Sequence, residues 1–162
     1  MGKAAEIALA RLAEDSERIG KLRDRFEESL LRSYPESRVN GQRQNRLPNT
    51  SNVSFRYLEG ESILVLLDQQ GICASTGSAC TAGSAEPSHV LRAMGVVAEW
   101  LQGTVRFSLG RFNTEKEVEV VNQTLPLIVQ RLQGLSALGK LASQEQSPAS
   151  RGGAAKSIGA RG

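Results

Sequence analysis

Two segments with helical periodicity, one near each end of the chain, most constrain its fold. Between residues 3 and 34, apolar side chains recur at separations of three, four or seven, and the positions between them are mostly charged. A second apolar series follows three-to-four spacing from Val118 to Leu135. Each pattern predicts an amphipathic helix that buries one face. The chain must therefore supply a surface for two long helices to cover.

The residues that flank these helices have the properties of helix ends. Tyr34 precedes Pro35, and the residue before a proline is displaced from helical geometry, so the first helix should end there. Thr114 and Glu117 have the spacing of a capping box that starts the second helix. Pro126 lies inside the second pattern, where we expect a kink or a shifted first turn.

The middle of the chain alternates between short strands and short helices. We expect strands at "NVSFRY", "ICAS" and "TVRFSLG", and helices at "EGESILVLLDQQG" and "PSHVLRAM" that glycines close. Short strands beside long amphipathic helices predict an α+β (mixed α/β) fold, in which a short, mainly antiparallel sheet is covered by long helices.

The distribution of charge argues against nucleic-acid binding. After Leu135 the chain carries four basic residues and one acidic residue, which account for the whole net charge of +3. In the preceding part the numbers of basic and acidic residues are equal, whereas a nucleic-acid binder has a basic patch on its folded part.

The longest aliphatic run, Ile63 to Leu67, is far shorter than a membrane span. No secretory signal is recognisable, so we expect a cytoplasmic protein without a membrane segment.

The chain has two cysteines, which differ in their surroundings. Together with the single histidine, His89, they are too few for a zinc site within one chain, so no metal site is predicted from spacing. Cys73 lies on an apolar stretch, and we expect it to be a packed core thiol. Cys80 lies among Ser, Thr and Gly residues, which predicts an accessible thiol and makes it the best candidate nucleophile. The alternative is an ordinary surface cysteine.

Three further residues are candidates for a site. Arg106 alternates with apolar neighbours on a predicted strand, where a guanidinium can bind a carboxylate through two parallel hydrogen bonds. A surface ion pair is an equally good interpretation of Arg106. His89 is more simply a partly buried polar residue of a short helix, and Arg111 is compatible with a turn.

Several motifs resemble the cysteine desulfurases of the NifS/IscS type, which are pyridoxal-phosphate enzymes of the class-V aminotransferase group. The most specific are "GSACTAGSAEPSHVLRAMG" and "VRFSLGRFNTEKEVEVV", and "LPNTSNVSF" and "EGESILVLLDQQGICASTGSAC" match in the same order. The resemblance runs from about Gly2 to Leu138. It implies the small C-terminal domain of a fold-type I pyridoxal-phosphate enzyme.

The resemblance also implies a reaction. The cofactor would bind the amino group of L-cysteine, and a loop thiolate would attack the substrate sulfur, releasing L-alanine. By position, Cys80 would be the persulfide carrier, and Arg106 would bind the substrate carboxylate. A mobile loop over residues 75–86 would pass the sulfur to an acceptor or scaffold protein for iron-sulfur cluster assembly. There Cys80 would share a cluster transiently, and the full-length enzymes would be dimers.

One departure from this family concerns the cofactor. The family's lysine, in a His-Lys motif, precedes the matched region, but only Lys3 and Lys21 precede Cys80 here. The resemblance therefore implies a small domain over 1–138, a disordered tail over 139–162 and an absent large cofactor-binding domain, so this chain alone should not bind pyridoxal phosphate. Two functions stay open: part of a desulfurase (a sulfurtransferase) whose large domain is supplied elsewhere, or a non-catalytic orphan domain that carries sulfur or binds partners. A relative of selenocysteine lyase is a further alternative.

Overall fold

The computed structural model describes residues 1–76 and 88–135. Within these ranges the elements, in chain order, are α1 (Gly2–Ser33), β1 (Ser37–Val39), β2 (Thr50–Phe55), α2 (Gly60–Asp68), α3 (His89–Ala93), α4 (Ala98–Leu101), β3 (Thr104–Ser108) and α5 (Glu115–Leu135). The strands form an antiparallel sheet in the order β1-β2-β3. The predicted α+β fold, with a short antiparallel sheet beside long helices, is confirmed.

The long helices begin and end where the local sequence predicts. The backbone N–H of Tyr34 donates to Leu30 O at 2.8 Å and closes α1 just before Pro35. At the start of α5, the Thr114 N–H donates to the Glu117 carboxylate at 2.7 Å, and the Glu117 N–H donates to Thr114 Oγ1 at 3.3 Å. This reciprocal pair is the predicted capping box. Helix α5 begins at Glu115, so Pro126 lies in its interior and not in a shifted first turn. The alternative expectation, a kink at Pro126, stays a prediction.

The hydrophobic core lies between one face of the sheet and the long helices. Alternate residues of the strands point into it, and Val53, Phe55 and Val105 are fully buried. The ring of Phe26 on α1 packs against the ring of Phe107 on β3, with centroids 4.8 Å apart. Since successive side chains of a strand point to opposite faces, the residues between these apolar positions form a second, polar face.

The segment that follows α2 differs from the prediction. Residues 72–75 do not form a strand, and only Ser75 makes a strand-like pairing, an isolated bridge to Arg106. Cys73 is exposed rather than packed in the core. Its neighbours Ile72 and Ala74 pack against the core, so the alternation of an extended backbone turns the Cys73 side chain outward.

Strand β2 also ends earlier than predicted, at Phe55 instead of Tyr57. Tyr57 adopts a left-handed conformation with φ of 57°, which no extended strand can accommodate. Within the described ranges, no helix is long and apolar enough to cross a bilayer.

Candidate functional site

The polar face of the sheet carries a connected set of side chains. The Asn40 amide Nδ2 donates to Asn52 Oδ1 at 2.8 Å and to Ser54 Oγ at 2.7 Å. The Ser54 and Thr104 hydroxyls lie 2.8 Å apart and share a further hydrogen bond. Asn40, Ser54 and Thr104 are buried, and most of their polar groups are paired with one another. Asn40 Oδ1 is buried without a hydrogen-bond partner among the described residues. The network therefore holds these polar side chains in fixed positions on this face of the sheet.

Arg106 lies on the same face, at the centre of β3. It pairs with Asn52 of β2 on one side. On the other side it pairs with Ser75, whose N–H donates to Arg106 O at 3.0 Å while the Arg106 N–H donates to Ser75 O at 2.5 Å. Strand β2 on one side and the isolated bridge to Ser75 on the other fix the backbone from which the guanidinium projects.

The side chain of Arg106 has unused hydrogen-bonding capacity. It is half-buried, and its Nε is buried with no hydrogen-bond partner among the described residues. An unsatisfied buried donor costs free energy, and a carboxylate is the ligand that fits a guanidinium best. The alternative interpretation, a surface ion pair, is not seen among the side chains that the structure describes.

The other sequence candidates lie in different settings. Cys80 falls outside the described residues, five positions after Ser75. His89 is exposed at the start of α3. Arg111 is also exposed and stacks on Phe112, with its guanidinium carbon 4.7 Å from the ring centroid. Of the candidates that lie in the described ranges, only Arg106 is on the polar face.

Sequence reasoning missed the polar network beside Arg106. The alternation in "NVSF" did mark Asn52 and Ser54 as facing away from the core. Asn40 precedes Gly41, a pair typical of turns, and its partners are 12 and 14 residues away. No local pattern reports such a contact.

Cys73 lies in a separate groove. The groove has a volume of about 400 Å³ and is lined mainly by apolar side chains of β3, α5 and the segment after α2. Arg106 is not among the residues that line it. The exposed thiol is therefore not part of the polar face. No cluster of His, Cys, Asp and Glu suited to a metal ion occurs in the described ranges.

The described lysines do not form a site for pyridoxal phosphate, which such enzymes hold through a lysine Schiff base. Lys3 and Lys21 form ion pairs with Glu6 and Glu17 on the surface of α1, at 3.0 and 2.6 Å. Lys116 is exposed on α5. None of the three has the enclosed setting that holds a cofactor.

Comparison with known proteins identifies the family in which this fold occurs. The class-V aminotransferase family model matches residues 1–121. A "Cysteine desulfurase" of Nostoc sp. strain PCC 7120 is 49% identical over 156 residues, which cover 93% of this chain and 39% of that protein. "Cysteine desulfurase NifS" of Azotobacter vinelandii is 48% identical over 136 residues, 84% of this chain and 34% of that one.

A solved structure titled "NIFS-LIKE PROTEIN" superposes with a TM-score of 0.70 and 33% identity, over 80% of this chain and 32% of that one. The chain thus spans less than two fifths of the length of each of these proteins. Because the family model covers most of the sequence and the solved relative shares the fold, the chain belongs to the class-V aminotransferase family.

Proposed function

We propose that this chain is the part of a cysteine desulfurase that supplies the sulfur-accepting thiol and the carboxylate-binding arginine. The observation that carries the proposal is Arg106, a half-buried guanidinium on a fixed strand whose Nε has no partner among the described residues. Identity of 49% to the Nostoc protein supports the same assignment.

Arg106 would bind the carboxylate of L-cysteine. Its planar fork of N–H donors matches the two carboxylate oxygens. The fixed backbone of β3 would hold the substrate in one orientation, as catalysis by positioning requires. Cys80 is tethered close to this point, since five residues of extended chain reach at most about 18 Å from Ser75.

Cys80 would accept the sulfur in a transfer that balances internally. Its thiolate sulfur forms a bond to the sulfur of L-cysteine while the carbon–sulfur bond of the substrate breaks. The electron pair of that bond stays with the carbon, which takes up a proton and becomes the methyl group of L-alanine. The transferred sulfur is oxidised and the carbon is reduced by the same amount. No external oxidant or reductant is needed, and Cys80 is left as a persulfide.

Pyridoxal phosphate supplies the electron sink in such enzymes. Since the described residues do not form a site for it, we propose that another part of a longer enzyme or a partner subunit holds it. The Cys80 persulfide would then pass to an acceptor or scaffold protein for iron-sulfur cluster assembly. We propose that this takes place in the cytoplasm, in a dimeric enzyme.

A second candidate function rests on the surface position of Lys3, Lys21 and Lys116. Because these described lysines form no cofactor site, the chain could act as a sulfur carrier, which receives a persulfide made by another enzyme. The two functions differ in whether L-alanine forms.

The test is complementation in trans. The chain is co-expressed with the portion of the Nostoc relative that lies outside the 156 matched residues, and L-alanine and sulfide are measured after addition of pyridoxal phosphate, L-cysteine and a thiol reductant. We expect both products, and we expect Cys80→Ala to abolish them while Cys73→Ala leaves them largely unchanged. Persulfide on Cys80 only when it is donated by another enzyme would favour the carrier, and full activity of Cys80→Ala would refute both.

A further inference from the structure

The first part of α1 extends away from the body of the fold. Residues 1–14 are all exposed, and the first buried side chain of the helix is Ile19. The exposed part of α1 is about 20 Å long at 1.5 Å per residue. A helical segment of this length is marginally stable in water unless one of its faces is packed. We therefore expect another surface to pack against this segment.

One side of this exposed segment is apolar. Four residues recur at three-to-four spacing and form one wall of a groove of about 510 Å³: Ala4, Ile7, Ala8 and Leu12. Ile7 is 40% exposed and Leu12 is 59% exposed. Lys3 and Glu6, which form an ion pair with each other at 3.0 Å, do not line the groove. The part of α1 that lines the groove at this end is thus apolar.

The second wall of the groove comes from the segment between β1 and β2. Leu47, 71% exposed, and Pro48 line it. This wall is held in place because the buried Arg23 donates through Nη1 to Leu47 O at 2.8 Å. This wall is already ordered, so it loses little conformational entropy when the groove is filled. We call the surface formed by Ala4, Ile7, Ala8, Leu12, Leu47 and Pro48 the α1 groove.

The length of the relatives indicates what covers the α1 groove. This chain corresponds to 39% and 34% of the length of the Nostoc and Azotobacter desulfurases, so most of such a protein lies outside the matched part and must pack against it. Exposed apolar patches rimmed by polar side chains mark interaction surfaces, and Asp15, Asn49 and Arg111 rim this one. We infer that the α1 groove docks the cofactor-holding portion of the enzyme. The inference rests on the proposed function and names the surface through which the two portions join.

The test measures binding, not catalysis. The chain is co-expressed with a tagged portion of the Nostoc relative outside the 156 matched residues, and the dissociation constant of the purified pair is determined. Ile7→Glu and Leu12→Glu should each weaken the complex by about tenfold or more, because a carboxylate would be desolvated in an apolar contact. Leu9→Glu is the matched control, since Leu9 is on the same helix and 75% exposed but does not line the groove.

A circular dichroism spectrum of each variant guards against misfolding, and hydrogen exchange gives a second readout. Amides of residues 5–14 should exchange quickly in the chain alone and become protected in the complex. Absence of a complex, equal binding by all variants, or equal weakening by Leu9→Glu would overturn the inference. So would a dimer of this chain that Ile7→Glu dissociates, which would identify a second copy as the occupant. A complex that behaves as expected but forms no L-alanine would refute the proposed function and leave the docking surface intact.

Discussion

Arg106 is the residue from which the proposed chemistry is most directly testable. Replacing it by lysine keeps the positive charge but removes the planar fork that binds two carboxylate oxygens. In the complemented enzyme we expect Arg106→Lys to raise the KM for L-cysteine by about tenfold or more, with a smaller effect on kcat. Steady-state L-alanine release measures both constants.

Arg131→Lys is the control for that substitution, because Arg131 is exposed on α5. It should leave both constants unchanged. A fall in kcat at constant KM in Arg106→Lys would contradict a role in binding the carboxylate.

Cys73 shows where reasoning from single residues failed. Its apolar neighbours predicted a buried strand, and thiols are commonly buried, yet the side chain is exposed. The sequence identifies Ile72 and Ala74 as apolar but does not reveal which side of the backbone faces the core. That choice depends on the bridge between Ser75 and Arg106, a contact between residues far apart in sequence.

At the level of secondary structure, an ion pair joins α1 to the segment between β1 and β2. Arg46 Nη2 contacts the Glu27 carboxylate and also donates to Thr50 O at 2.9 Å. The Glu27 side chain is 9% exposed and that of Arg46 is 15% exposed. Removing one partner leaves the other charge poorly solvated.

We therefore expect Glu27→Ala to lower the free energy of unfolding by about 2–4 kcal/mol, measured by urea denaturation. Glu28→Ala, at the adjacent exposed position, should change it by less than about 0.5 kcal/mol. Equal effects of the two substitutions would show that the ion pair contributes nothing specific.

The capping box of α5 should make stability depend on pH. The Thr114 backbone N–H donates to Glu117, as does the Thr114 hydroxyl, and these bonds lower the pKa of the Glu117 carboxyl. A carboxyl whose pKa is lower in the folded state stabilises the fold above its unfolded pKa, near 4.3, and loses that contribution as the pH falls through the folded pKa. Glu117→Gln should remove this part of the pH dependence.

Urea midpoints of both proteins between pH 7 and pH 3 measure the effect. The difference between wild type and Glu117→Gln should shrink towards acid pH. A difference that stays constant or grows would contradict the assignment.

The long helices and the short elements β2, α3 and β3 were predictable from sequence, whereas β1 and α4 were not. Helices α1 and α5 repeat an apolar period over many turns, and their ends carry a proline signal and a capping box. Strand β1 has three residues and α4 has four, too few for any period. They are fixed by tertiary hydrogen bonds, such as that from the Tyr57 N–H to Glu99 O at 2.8 Å.

At the scale of the whole molecule, the sequence predicted Arg106 as a candidate but not the polar network beside it. The polar network joins residues of three separate segments, from Asn40 through Asn52 and Ser54 to Thr104. Each is unremarkable in its own stretch, and only the antiparallel register brings them together. The sequence could therefore name Arg106 as a candidate, whereas the residues around it could be identified only from the fold.

The whole chain should not bind pyridoxal phosphate covalently by itself. A retained Schiff base needs a lysine in an enclosed site with contacts to the ring and the phosphate. Among the described lysines, Lys3 and Lys21 are instead about three-quarters exposed and ion-paired, and Lys116 is exposed on α5. After incubation with the cofactor, borohydride reduction and intact-mass analysis, the chain should keep its unmodified mass.

The complex with the remaining portion of the Nostoc relative provides the positive control. There, one reduced adduct should form on a lysine of that portion, because the cofactor site would be contributed by it. A stoichiometric adduct on one lysine of the present chain would mean that this chain holds the cofactor itself. The proposal that this chain contributes only the thiol and the arginine would then be wrong.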